Sequence, residues 1–202
     1  TRPLVAQTLK GYNGCIFAYG QTGSGKTYTM IGGENGERGI LPRTLDMLFS
    51  AIHDRNRKGT EKVTVRISAV EIYMEKIKDL FDPEAGTKLL RESTKRGSHV
   101  QNLVRRKVDS SEAAQHSLKT ALRQRISAKT GMNASSSRSH AVITVWLEMK
   151  KLEIGKDAGH ARIAQRAHLN LVDLAGSERQ KDTRVTGKRL REASHINKSL
   201  SV

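Results

Sequence analysis

In the stretch "IFAYGQTGSGKTYTM", Ile16 to Met30, Gly20 is followed after four residues by Gly25-Lys26-Thr27. The spacing fits G-x-x-x-x-G-K-S/T in full. Glycines let a backbone turn its N–H groups inward toward a polyanion, where side chains would block the approach. A helix starting behind the loop adds a partial positive charge. In such a loop Lys26 reaches the β- and γ-phosphates of a nucleotide and the Thr27 hydroxyl ligates Mg²⁺. The candidate nucleotide contacts run from Gly20 through Gln21, Thr22, Gly23, Ser24, Gly25, Lys26 and Thr27 to Tyr28. A phosphate cradle also needs a second element that senses what it holds. "LNLVDLAGSE" places Asp173 at the end of an apolar run, where a carboxylate binds Mg²⁺ through a water. Gly176, three residues on, can offer its N–H to the γ-phosphate. That contact exists with a triphosphate and vanishes with a diphosphate, which makes the following loop a switch candidate. A third stretch, "NASSSRSH" (Asn133 to His140), gathers hydroxyls and one cation just before another apolar run. It suits a Mg²⁺–phosphate complex, although composition alone would also allow a plain polar loop.

Regular elements must hold these pieces. Cys15 to Ala18 reads as a short buried strand entering the loop, and Lys26 begins a helix. "MIGGENGERG", Met30 to Gly39, is turn-rich and interrupts that helix. Leu41, Leu45, Leu48 and Ile52 recur at helical spacing, an amphipathic helix. "VTVRISA", residues 63–69, alternates as a strand with one buried face. In "EIYMEKIKDLF", which follows, any helix must stop at Asp82-Pro83. Lys88 to Val108 reads as a strand or a ribbon among basic loops. Ser110 or Ser111 caps a helix reaching about Arg125. "AVITVWLEM" (Ala141 to Met149) is a buried strand with Ile143, Val145, Leu147 and Met149 on one face, and "HLNLVDL" is another. Lys188 to Val202 has a helical pattern. Strands alternating with helices argue for an α/β sheet layered between helices.

The chain has 202 residues, enough for one domain with a sizeable core. Thirty-six Lys and Arg against 20 Asp and Glu leave a net charge of +16, which calls for an acidic partner or serves solubility. Nucleic acid, an anionic membrane and an acidic protein surface all qualify. Cys15 is the only cysteine, so no disulfide forms within the chain and a disulfide scaffold is excluded. It reads as a small core residue. No apolar run approaches the ~18 residues of a membrane-spanning helix.

G-Q-T-G-S-G-K-T, N-x-x-S-S-R-S-H and D-L-A-G-S-E, in this order and at these separations, resemble the kinesin motor domain. "GYNGCIFAYG", "EIYMEKIKDL" and "INKSL" resemble the same family at matching places, so the resemblance covers nearly the whole chain. It implies an α/β P-loop NTPase fold of three layers, with a central, mostly parallel mixed sheet between helices. It implies ATP and Mg²⁺ as cofactors, and a microtubule-stimulated ATPase whose hydrolysis drives movement along microtubules. By the resemblance, Gly23, Ser24, Gly25, Lys26 and Thr27 bind the ATP phosphates. Thr27 and Ser137 coordinate Mg²⁺, with Asp173 acting through a bound water. Asn133 and Ser136 line the phosphate side and help place the attacking water, and Gly176 reports the γ-phosphate. Arg138 and Glu178 form an ion pair between two switch loops when ATP is bound. Breaking such a pair from one side in a dry site costs about 3–5 kcal/mol. The loop "RQKDTRVTG" (Arg179 to Gly187) and the helix after it face the microtubule, with Lys181, Arg184, Lys188, Arg189, Arg191 and Lys198 as contacts. The expected location is the cytoplasm and cytoskeleton, on microtubules or the spindle. Oligomerisation would lie in a coiled coil outside these residues.

Two departures from the family pattern stand out. The upstream strand with its adenine-contacting R-x-R-P stretch is absent, and Val202 falls inside the last helix. Residues 1–202 are therefore expected to be a single motor domain truncated at both ends, poorly stable and weakly active alone. The strand feeding the phosphate loop is expected to become an exposed edge, a feature that invites aggregation. Three rival readings compete with this one. A GTPase switch needs N-K-x-D for guanine, but Asn197-Lys198-Ser199-Leu200 has Leu in the place of Asp. A nucleic-acid-dependent P-loop ATPase is permitted by the charge, yet three Phe, one Trp and four Tyr make a sparse stacking platform. A filament-binding relative without catalysis is opposed by intact Lys26, Thr27, Asp173 and the serine loop.

Overall fold

Val63, Val65, Ile67 and Ala69 stand directly opposite Met149, Leu147, Val145 and Ile143 across an antiparallel pair. Leu171, Leu169 and Ala167 of a third strand continue the same rows. Side chains alternate across a strand, so all of these residues lie on one face of one sheet. The structure, a computed structural model, describes residues 1–33, 36–57, 59, 61–94, 97–127, 138–152 and 161–178. Along the chain run α1 (Arg2–Thr8), β1 (Gly14–Ala18), α2 (Lys26–Ile31), α3 (Ile40–Arg57), β2 (Glu61–Tyr73), β3 (Lys76–Asp79) and β4 (Thr87–Lys88). Then come β5 (Leu90–Ser93), β6 (Gly97–Val100), β7 (Arg106–Val108), α4 (Ser111–Ser127), β8 (His140–Leu152) and β9 (Ala161–Asp173). The main sheet has the order β1-β9-β8-β2-β3-β4, with β7 also paired to β2, while β5 and β6 form a separate ribbon.

The expected mixed sheet with helices is present, but "mostly parallel" needs correction. Among the described residues only β1 and β9 run parallel, and every other pairing of the main sheet is antiparallel. For β2 and β3 the reason is connectivity. A short link can only join antiparallel neighbours, whereas a parallel pair needs a long crossover. β2 and β3 are joined by Met74 and Glu75 alone, both at positive φ (49° and 59°). The segment "EIYMEKIKDLF" is thus the end of one strand, a tight turn and a second strand, with no helix in it.

All four of the described helices feed one core on the same sheet face. Val5 and Leu9 come from α1 and its end, Met30 from α2, Leu41, Leu45, Leu48 and Ile52 from α3, and Ala114, Leu118, Ala121 and Leu122 from α4. The four apolar positions expected of α3 are all buried. Pro42 sits in its first turn, where a missing N–H costs nothing. Ser110 supplies the α4 cap, accepting the Ala113 N–H at 3.1 Å. The opposite sheet face carries polar groups beside Val70, Val142 and Val172. There the Trp146 indole N–H donates to Ser68 Oγ, Thr144 Oγ1 donates to Asn170 Oδ1, and the Arg105 guanidinium lies 3.7 Å above the Trp146 ring. The expected final helix, Lys188 to Val202, lies outside the described residues. No described helix is long and apolar enough to cross a membrane.

β1 departs from expectation. Its burial alternates between half-buried and exposed, and Phe17 is 65% exposed. Cys15 is exposed too, not a core residue. A four-residue apolar run does not reveal whether both of its faces are covered. Among the described residues β1 stands at one end of the sheet order and pairs with β9.

One buried carboxylate fastens the β3 end to the basic ribbon region. Asp79, 0% exposed, accepts the Phe81 N–H at 2.9 Å and the Val104 N–H at 2.8 Å. Asp79→Ala strands both donors and is expected to cost roughly 2–4 kcal/mol of folding stability. Leu45→Ala, which empties a fully buried site of α3, should cost about 2–5 kcal/mol. Urea unfolding followed by circular dichroism measures both.

Candidate nucleotide site

The loop between β1 and α2 has the backbone that its glycines foretell. Gly23 and Gly25 hold φ of 81° and 84°, in the left-handed region where a side chain is strained. An added Cβ at either meets nothing within 4 Å, so open space lies above both. Gly25 caps α2, and Lys26 opens it. The Lys26 side chain folds back over the loop, where Nζ donates to the Gly20 and Gln21 carbonyls, each at 2.8 Å. A cation thus sits at the centre of the loop, only 9% exposed.

Parallel pairing sets Ala18 beside Asp173, so both strands end at the same level. Across that gap Thr27 Oγ1 donates to Asp173 Oδ2 at 2.8 Å. Asp173 is 1% exposed, and its Oδ1 is buried with no hydrogen-bond partner among the described residues. A buried, orphaned carboxylate oxygen beside a threonine hydroxyl fits a hard dication held by a few oxygens and by substrate phosphates. Among the described residues there is no group of three or more His, Cys, Asp and Glu that could hold a metal by itself.

The loop after β9 is laced to the phosphate loop. Leu174 N–H donates to Ala18 O, and Ser177 N–H to Gly20 O. A side chain at Gly176 would meet the Glu178 carboxylate and the Thr22 hydroxyl, so it would have to displace the contact between them. Glu178 accepts from Thr22 N at 2.9 Å and from Thr22 Oγ1 at 2.5 Å. Burial alone would raise the Glu178 carboxyl, but the Thr22 hydrogen bonds outweigh it and hold the pKa below its ordinary value. Glu178 thus stands as a carboxylate at neutral pH.

Three further residues complete the surroundings, and the sequence reading gave none of them a role. Arg125 of α4, 3% exposed, lies 3.4 Å from Asp173 Oδ2 and 3.6 Å from Glu71 Oε1. His140, at the start of β8, accepts the Ala175 N–H on Nδ1 at 3.1 Å. Burial, then the nearby Arg125 charge, lower its pKa and keep the ring neutral. Arg125 looked like one more basic residue on a helix. The one available signal was Glu71, an acid between Val70 and Ile72 in an otherwise apolar strand.

Of the predicted site residues, Gly20 to Thr27, Asp173, Gly176 and Glu178 come together at this end of the sheet. Arg138 is half-buried and directly precedes Ser139, which Arg125 holds. Tyr28 is 55% exposed and lines a cleft of about 800 Å³ with Glu37, Arg38 and Arg43, between α2 and the start of α3. Asn133, Ser136 and Ser137 lie outside the described residues, as do Lys181, Arg184, Lys188, Arg189, Arg191 and Lys198.

Known proteins resemble this chain along nearly its whole length. A model of the kinesin motor domain matches residues 1–202. The kinesin-like protein KIF15 of Strongylocentrotus purpuratus is 46% identical over 98% of this chain, and the match spans 14% of its own length. The kinesin-like protein KIN-12E of Arabidopsis thaliana is 47% identical over 98% of this chain and 16% of its own. The chain therefore spans about one-seventh of the curated relatives it matches. The solved structure of a fast kinesin superposes with a TM-score of 0.83 at 38% identity, covering 97% of this chain and 54% of that one. A KIF14 dimer, in a two-heads-bound state with AMP-PNP on a microtubule, also gives 0.83, at 39% identity over 100% of this chain and 56% of that one. With a glycine-rich loop, an acid-ended partner strand and a loop after it arranged as described, and a family match from first residue to last, this chain belongs to the kinesin motor-domain family.

Proposed function

We propose that the chain binds and hydrolyses MgATP and that, within its whole protein, it drives movement along microtubules. The observation that carries this reading is the Thr27–Asp173 contact at 2.8 Å beneath a loop centred on Lys26. It joins a phosphate-binding element to an acidic strand end, the two halves that a nucleoside triphosphatase needs. Mg²⁺, when bound, would neutralise phosphate charge from the side of Thr27, Asp173 and Ser137.

The rest is the work of the chain's own groups. Lys26 leaves the Gly20 and Gln21 carbonyls for the β- and γ-phosphates, exchanging two neutral acceptors for anionic ones, a stronger class of hydrogen bond. Asn133 and Ser136 orient the attacking water, and Gly176 N–H meets the γ-phosphate. Glu178 is contested. Thr22 donates to it twice, tying the sensor loop to the phosphate loop. In the hydrolytic state Glu178 passes to Arg138, closing the site over the water. Release of phosphate lets Thr22 reclaim Glu178, and the loop that follows carries this change outward. Lys181, Arg184, Lys188, Arg189, Arg191 and Lys198 are proposed to meet the acidic tubulin surface, which places the protein on the cytoskeleton.

ATP turnover with and without microtubules tests the reading. Wild-type protein should show turnover that rises with microtubules and falls as salt is added, because exposed charges are screened beyond about 8 Å at physiological ionic strength. Turnover indifferent to microtubules would remove the motor reading. Arg138→Ala or Glu178→Ala should lower hydrolysis by about 10²–10³-fold, the scale of losing one charge-stabilising donor, while a fluorescent ATP analogue still binds. Normal turnover in either variant would exclude the closing pair. Lys26→Ala should abolish both binding and turnover.

A further inference from the structure

Among the described residues the strands β5 and β6 pair only with each other, apart from the main sheet. The Gln101 N–H donates to the Leu89 carbonyl at 2.8 Å and closes the base of this ribbon. A two-stranded ribbon is marginally stable in water. The stretch from Lys88 to Lys107 holds seven Lys and Arg against one acid, Glu92. Ser98 of β6 is exposed and stands directly opposite Glu92 across the ribbon. Arg91 and His99, the next pair along, lie on the other face. Gly97, just before Ser98, has a φ of 62°, and a side chain there would meet nothing within 4 Å. The acceptor hydroxyl is therefore reached across open space. In the sequence, Lys95 and Arg96 precede Ser98 by three and two positions. Kinases that select their substrates by basic charge read that pattern in an extended segment, which β6 supplies. The same spacing in Arg57-Lys58-Gly59-Thr60 ends on a threonine that lies outside the described residues.

We propose that Ser98 is a phosphorylation site for a protein kinase of this basic-directed class, and that its phosphate opens the ribbon and lowers its charge. Ser98 Oγ takes the γ-phosphoryl group of the kinase's ATP. The bond from that phosphorus to the bridging oxygen breaks, ADP leaves, and the hydroxyl proton passes to the kinase's carboxylate base. The product carries about −1.5 to −2 charges at neutral pH. Side chains directly opposite in an antiparallel pair sit about 5 Å apart, so the new charge faces the Glu92 carboxylate, and like charges there are destabilising. The net charge of +6 between Lys88 and Lys107 falls to about +4. The consequence for an acidic track rests on the motor reading above, whereas the site and the opening of the ribbon stand without it.

The test treats the full-length protein with the cAMP-dependent protein kinase and ATP, and locates phosphate by mass spectrometry. Phosphate on Ser98 is expected, and a Ser98 left unmodified overturns the proposal. Hydrogen exchange of the β5 and β6 amides should then quicken by about 5-fold. Glu92→Gln should remove that acceleration while Ser98 is still phosphorylated. Equal acceleration in Glu92→Gln, or none in the wild type, overturns the opening by Glu92. Microtubule affinity should fall by about 5-fold on phosphorylation, the scale of one exposed charge pair, and Ser98→Ala should keep its affinity through the same treatment. Unchanged affinity of the phosphorylated wild type overturns the charge effect alone. Wild-type protein that binds no microtubules before treatment overturns the motor reading and leaves the Ser98 site to the mass spectrum.

Discussion

The parallel pairing of β1 with β9 is the constraint on which the site depends. Parallel strands present their C-terminal ends on the same side, and ligands of open α/β sheets gather there. Because Ala18 stands beside Asp173, the loop leaving β1 and the loop leaving β9 emerge together. Every contact between them follows from that register. Thr27 meets Asp173, Ser177 meets Gly20 and Glu178 meets Thr22. A slip of one residue would turn the Asp173 side chain to the other face of the sheet. The remaining strands, antiparallel among the described residues, build the slab that keeps β9 straight.

Charge completes what the register begins. Lys26, Arg125, Asp173 and Glu71 are all buried at one end of the sheet. Charges are rarely buried without a partner, and a concentration of them points to function more than to stability. Neutral His140 fits the same pattern. As an acceptor for the Ala175 N–H it ties the loop after β9 to β8 without adding a further charge.

Much of this was readable in the residues because local chemistry dictated it. Positive φ at Gly23 and Gly25 is a glycine requirement, so the phosphate loop announced itself. The spacing of Leu41, Leu45, Leu48 and Ile52 does the same for α3. The turn at Met74-Glu75 stayed hidden, because its two left-handed residues lack the Asn or Gly that usually marks such a turn. The exposure of Cys15 and Phe17 depends on which strands flank β1, a fact of the sheet and not of the apolar run. Arg125 and Glu71 were illegible for a related reason. Nothing in "RQRIS" distinguishes a buried arginine from a solvated one until β2 and β9 are set around it. The serine loop from Asn133 to Ser137 was singled out by composition, but it lies outside the described residues.

The register of β1 with β9 has a mechanical consequence. Five registered positions tie the strand that feeds the loop of Lys26 to the strand that ends in Asp173. The loops that leave these two strands are laced by Ser177 to Gly20 and by Thr22 to Glu178. A displacement of either loop is therefore carried to the other through short hydrogen-bonded backbone, so that the two behave as the jaws of one clamp.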